Sequence, residues 1–226
     1  MKQNTMGLFL WLVCVSSFAQ NYRVGDHELL VMPTAYTMPK GSAYFSSYEL
    51  FFMNYNRAIS DRTHIGIFSM FPVTTDFLET VTLGLKHNYF RGNTAASSFW
   101  GSVMPKSKVV LAGNVVSIGE PRQALHLGMG VVDSWEEEDD SAVWLYLAGY
   151  NFPIGRRTDM IVEYSNFSLD FLDDDDLDFN GLITLGFRFR SQSISWMFGG
   201  FRPLEDTGDE FLFFPYLKAT LYFGND

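Results

Sequence analysis

Cysteine is almost missing from this chain: Cys14 is the only one in 226 residues. Charge is sparse too, at 19% of residues, and the basic sign is the scarcer one, 16 Lys and Arg against 26 Asp and Glu. Each lack excludes something. One cysteine cannot close an internal disulfide, so a stapled secreted domain is excluded. A formal net charge of −10 argues against a nucleic-acid partner, whose surface asks for a basic face. Past the N-terminus, no run approaches the ~18 apolar residues that a membrane-spanning helix needs. What the chain has instead is aromatic mass: 17% of residues, with 22 Phe and 11 Tyr. Such a chain either hides a large area or turns it toward lipid.

Residues 1–20 read MKQNTMGLFLWLVCVSSFAQ. A lysine precedes an apolar run from Gly7 to Val15, and Ser17 and Ala19 provide the small residues of a cleavage site. This predicts a signal peptide over 1–19, with export through the Sec pathway to the periplasm. The run is too short to cross a bilayer as a helix. No small residue stands just before Cys14, so a lipoprotein signal is not expected. Cleavage removes Cys14 and Lys2, leaving a cysteine-free domain over 20–226 with a net charge of −11. About 200 residues bury enough surface to fold without staples.

Beyond residue 27 the dominant signal is alternation with period two. In 181–190, Ile183, Leu185, Phe187 and Phe189 share one face, while Thr184, Gly186, Arg188 and Arg190 share the other. Leu125, Leu127, Met129 and Val131 oppose His126, Gly128 and Gly130 in the same way. The pattern predicts strands near 27–34, 42–57, 63–71, 80–90, 97–104, 108–118, 123–132, 141–152, 158–167, 180–190, 193–202 and 210–223. Alternation alone fits a soluble sandwich or lipocalin-like barrel as well. The connections discriminate. Those numbered odd in chain order (TAYTMPKG, PVTTDFLE, PKS, DSWEEEDD, SLDFLDDDDLDF, LEDTGD) hold the long loops and nearly all the loop acid. The even ones (ISDR, RGNTAAS, GEPR, PIGRR, SQ) are mostly short and neutral or basic. An up-and-down meander places alternate connections on opposite rims. The fold expected is therefore all-β, an antiparallel up-and-down transmembrane β-barrel of about twelve strands, or ten without 27–34 and 97–104. Its setting is the outer membrane, with outer-membrane lipid and the assembly machinery as partners.

The lead VMPTAYTMPKGSAYFSSYELFFMNYNRAISDRTHIGIF carries Pro33-Thr34-Ala35, Lys40-Gly41, Ile59-Ser60-Asp61 and Ile65-Gly66. It resembles a set of largely uncharacterised Gram-negative outer-membrane β-barrel proteins. The tail GLITLGFRFRSQSISWMFGGFRPL with FPYLKATLYF is similar to the ends of the same proteins. The resemblance implies the fold and no catalytic residue. The chain departs from many barrels in ending on Gly-Asn-Asp after its last aromatic, Phe223.

If the greasy faces meet lipid, the lumen receives Glu49, Lys86, Asn88, His126, Asp159, Glu163, Arg188, Arg190 and Lys218. Both signs occur, and Glu163 and Arg188 lie on neighbouring predicted strands. The residues form either a lining that selects solutes or a set of paired charges that fills a narrow barrel. Asp176, Asp178 and Asn180 match the first half of a calcium loop, D-x-D-x-N-G, but Phe187 stands where the bidentate glutamate belongs. A solvated acidic loop is the better reading. Tyr44, Trp100, Trp144, Tyr150, Trp196 and Tyr222 are candidates for interfacial girdles. No G-x-S-x-G or H-E-x-x-H motif is present, so no enzymatic activity and no cofactor is expected. The leading function is a passive, porin-like channel for small solutes. The alternative is a closed barrel with a structural or surface-interaction role through its acidic loops, and a membrane-embedded lipid hydrolase ranks third.

Overall fold

The computed structural model describes residues 23–71, 75–135, 142–166, 181–204 and 213–224. The predicted signal segment and the calcium-loop residues Asp176, Asp178 and Asn180 lie outside them. Alternating β-branched and aromatic residues form twelve strands: β1 Ala43–Tyr48, β2 Phe52–Ser60, β3 Thr63–Met70, β4 Thr82–Arg91, β5 Ala95–Met104 and β6 Val109–Glu120. They continue with β7 Gln123–Ser134, β8 Val143–Pro153, β9 Thr158–Ser165, β10 Leu182–Arg190, β11 Ile194–Pro203 and β12 Phe214–Phe223. Each strand pairs antiparallel with its chain neighbours. β1 closes on β12 from Ala43↔Phe223 to Tyr48↔Lys218, so the barrel has no free edge.

Alternation decides which face each side chain takes. Ile183 and Phe189 are 41% and 44% exposed on the outer face, whereas Thr184, Arg188 and Arg190 between them are buried inside. The same holds on β7, where Leu125, Leu127 and Met129 face out and His126 faces in.

The count of twelve is right, but one predicted strand is wrong and one is two. Residues 27–34 are not a strand of the wall. They lie within the barrel, folded back on themselves through an isolated bridge from Glu28 to Pro33 and a hydrogen bond from Leu29 N to Met32 O (2.8 Å). The predicted strand 42–57 is a hairpin, β1 and β2, turning at Glu49-Leu50. Glu49 and Leu50, the first two of the three residues between Tyr48 and Phe52, are left-handed, with φ of 51° and 65°, and Phe51 N donates to Tyr48 O (3.1 Å). Neither is Gly, Asn or Asp, so composition gives no sign of the turn. Tertiary contacts fix it: Glu49 N donates to Leu217 O (2.9 Å), and the Glu49 carboxylate accepts from Leu217 N. Glu49 thus ties the turn to β12 at the rim and does not line the lumen, correcting its placement from sequence.

The segregation of connections survives this change. On one rim sit the turns at Asp61-Arg62, 92–94, Pro121-Arg122, 154–157 and 191–193. The β1–β2 turn and the strand ends that flank the longer, acidic connections share the other rim. TAYTMPKG, expected as a long loop of the acidic rim, is instead the stretch that leads from the lumen into β1 at the opposite rim, where Gly41 N donates to Ala58 O (2.9 Å).

Candidate functional site

The inward polar side chains are organised around the chain's own N-terminal segment, from Val24 to Met38. Val24, Leu29, Leu30, Met32, Ala35, Tyr36 and Met38 are buried. Leu29, Leu30, Met32, Ala35 and Tyr36 join Val115, Ile161 and Met197 of the wall in one apolar cluster. A segment of irregular backbone sealed in a barrel must have its N–H and C=O groups satisfied by the wall. That requirement accounts for most of the inward polar residues.

Lys86 spends all three ammonium protons on plug carbonyls: His27 O (2.8 Å), Thr34 O (3.1 Å) and Tyr36 O (2.8 Å). Asn88 and Ser98 both donate to Ala35 O at 2.8 Å, and Ala35 N donates to the Ser117 hydroxyl at 2.8 Å. Arg188 donates to Glu28 O (2.5 Å) and Leu29 O (3.0 Å), and Tyr216 donates to Leu30 O (2.8 Å). Glu163, 4% exposed, takes the opposite role. Its carboxylate accepts from Leu30 N (2.9 Å), Val31 N (3.1 Å) and Met32 N (3.1 Å), capping the tip of the plug.

Some charges pair with the plug and others within the wall. Glu163 and Arg188 do not bond each other; the ladder sets Arg188 opposite Asp159 and Glu163 opposite Thr184. Asp159 is fully buried between Arg122 (2.7 Å) and Arg190 (2.6 Å), and Arg190 also holds Asp26 of the plug. Lys218 meets Glu28 at 2.6 Å, and the Tyr48 hydroxyl donates to the same carboxylate at 3.0 Å. Burial opposes ionisation of Glu28, but the Lys218 ammonium and the hydrogen bond from the His27 ring outweigh it and hold the carboxyl well below the usual range. Burial pushes His27 down to about 4 against the pull of Glu28, so its imidazole is neutral at pH 7.

His126 sits between Ser117 (2.7 Å to Nδ1) and Asn151 (2.9 Å to Nε2), with Asn151 donating to Pro121 O (2.9 Å). An imidazole protonated on Nε2 satisfies both bonds. A hydroxyl, an imidazole and an orienting amide are the parts of a hydrolytic relay. Here all three side chains are fully buried, and Ser117 is occupied by Ala35 N, so the network holds the plug. Sequence spacing did not bring these three together, since they come from three strands.

Glycine shapes the wall to the plug. An added Cβ at Gly149 would collide with Leu29 Cδ1, and one at Gly186 would sit 2.9 Å from Leu30 Cδ1. Gly149→Val should therefore loosen the plug while leaving the ladder paired. The measurement is backbone amide exchange, faster over 28–36 and unchanged in β8 and β9. Equal exchange over 28–36 would mean that the plug adapts.

The interior also changes character with depth. Toward the rim of short turns the wall presents Asn88, His126, Asn151, Asp159, Arg188 and Arg190. Toward the other rim one side presents Trp100, Leu111, Leu145, Leu147, Leu182 and Phe201 around a cavity of about 370 Å³, while Asn54, Asn56, Thr82 and Ser102 line a polar pocket beside it. Three expected girdle residues prove to be internal, Tyr222 by packing beside Tyr44 on the inner face and donating to the Ser42 hydroxyl (2.8 Å). Tyr44 is buried and stacks on His27 with ring centroids 3.8 Å apart, and Trp100 packs over Gly113 and Gly130. Trp144 and Trp196 are on the outer face, 54% and 45% exposed.

No family model matches the chain, and no curated protein matches it. Solved structures similar to it include two chains. One, described as "Asymmetric conductivity of engineered proteins", shares 10% identity at a TM-score of 0.39 over 76% of this chain and 55% of that one. The other, CdiB from Escherichia coli, shares 13% identity at a TM-score of 0.31 over 81% of this chain and 51% of that one. The chain thus spans about half the length of the solved structures it matches.

Proposed function

We propose that this protein is an outer-membrane β-barrel closed by its own N-terminal segment, acting through the rim of long loops and not as a passive pore. The observation that carries the closure is the plug. Lys86, Asn88, Glu163, Arg188, Tyr216 and Lys218 spend hydrogen bonds on it that a solute-selective lining would keep free. Inward glycines at 149 and 186 leave room for its leucines. Support for the membrane setting comes from the outer face. Ile65, Leu83, Leu127, Phe187 and Phe198 belong to an apolar band running around a wall with no free edge. In water that band would far exceed the few hundred Å² a soluble monomer exposes, whereas lipid accepts it.

The discriminating experiment is conductance in a planar bilayer. The chain from Gln20 to Asp226 should insert stably and show no current steps. Deleting 24–38 should produce steps, because the cross-section they fill becomes water. Reproducible steps from the intact chain would restore the open channel. A folded protein that stays soluble without detergent would sink the membrane reading.

A further inference from the structure

The upper half of the interior is left unexplained by the plug. An occupied lumen is ordinarily polar, because it meets water. Here six inward positions near the loop rim are Trp100, Leu111, Leu145, Leu147, Leu182 and Phe201, and together they line the cavity of about 370 Å³. Its floor is the tip of the plug, where Val31 is 69% exposed although its neighbours Leu30 and Met32 are buried. An aliphatic side chain held out into an apolar cup gains nothing from the plug's own packing.

We propose that this cup is a binding site for a single small, uncharged apolar molecule admitted from the loop rim. Size, lining and charge all argue for that class. An apolar cavity of roughly 150 Å³ stays dry and holds a benzene ring, so this one, at about 370 Å³, accommodates a molecule of two or three fused or linked rings, or an acyl segment of similar volume. Ligand sites are of this kind, apolar walls with few polar groups. Among the described residues the one charged member of the lining is Glu163, and its carboxylate is already committed to three plug amides. A negative head group would face that carboxylate, so anions are disfavoured. A cation would gain little from it. The contact of the ligand with Val31 would also press on the segment that Glu163 holds.

Two fluorophores with one skeleton test this: N-phenyl-1-naphthylamine, which is neutral, and 8-anilino-1-naphthalenesulfonate, which adds a sulfonate. Each is titrated into the full mature chain in nanodiscs, with empty nanodiscs as the lipid background. The expected result is one saturable site for the neutral probe, at least tenfold weaker for the sulfonate. Val31→Trp fills the cup from its floor without disturbing the wall, and Leu145→Trp fills it from the side. Each should weaken the neutral probe at least tenfold, while Leu83→Ala on the outer face should not. If Leu145→Trp fails to fold, Val31→Trp alone decides. Purely linear uptake matching empty nanodiscs, or saturable binding indifferent to Val31→Trp, overturns the proposal. Equal affinity for both probes overturns the charge argument. The inference borrows from the membrane reading only the side of access: failure to enter nanodiscs condemns that reading, and loss of the saturable site condemns this one.

Discussion

Replacing Asp159 by alanine should cost the folded barrel about 3–5 kcal/mol, the usual penalty for removing one partner of a buried ion pair. Asp159 is fully buried and accepts from Arg122 at 3.0 and 2.7 Å and from Arg190 at 2.6 Å. It is the one anion shared by a turn of the short-turn rim, Pro121-Arg122, and by β10. Without it Arg190 keeps only Asp26 and a carbonyl of the plug, Val24 O at 3.0 Å, as partners. Arg122 is more exposed and recovers by turning to water. The loss therefore falls mainly on Arg190 and, through Asp26, on the start of the plug. Asp159→Asn keeps the shape and removes the charge, so it should fall between wild type and alanine. The check is denaturant unfolding of the chain reconstituted in lipid vesicles. A change below about 1 kcal/mol for the alanine variant would mean that water already screens the pair, as it does for surface pairs.

Glu163→Ala should act locally instead. Three backbone N–H groups at the plug tip lose their only charged acceptor, and hydrogen bonds to charged groups are each worth about 1.5–3 kcal/mol. Because one carboxylate serves all three, the losses do not add. We expect about 3 kcal/mol against the seated tip, so the amides of Leu30, Val31 and Met32 should exchange roughly a hundredfold faster. Amides of the strand ladder should be little changed. Glu163→Gln retains one acceptor oxygen, enough for Leu30 and Met32, and should show a smaller effect. A hundredfold change spread across β9 and β10 would mean that Glu163 supports the wall and not the plug.

Both predictions depend on the plug, which is also where sequence reading ended. Alternation fixes which side of the wall each residue takes, because the strand period of two is a local property of the backbone. Arg188, His126, Asp159 and Lys218 could therefore be assigned inward from their neighbours alone. Local rules do not say what an inward residue meets. Arg188 and Glu28 are 160 residues apart in sequence, and Glu163 and Leu30 are 133 apart. The hairpin at Glu49-Leu50 was hidden for a related reason. Its left-handed turn carries no Gly, Asn or Asp and is tied to a distant backbone partner, Leu217, beside its own bond from Phe51 N to Tyr48 O.

By itself, then, the sequence determined an antiparallel barrel, its outward apolar band, and the division of its connections between two rims. All follow from period, polarity and loop composition along neighbouring residues. Only the tertiary structure decided that residues 24–38 fill the lumen and that 27–34 adds nothing to the wall. A short apolar stretch has the same local pattern whether it pairs at a sheet edge or packs inside a closed one. The difference lies in whether the rest of the chain surrounds it: here twelve strands close without it, and Lys86, Asn88, Glu163, Arg188 and Tyr216 of the wall bond its backbone.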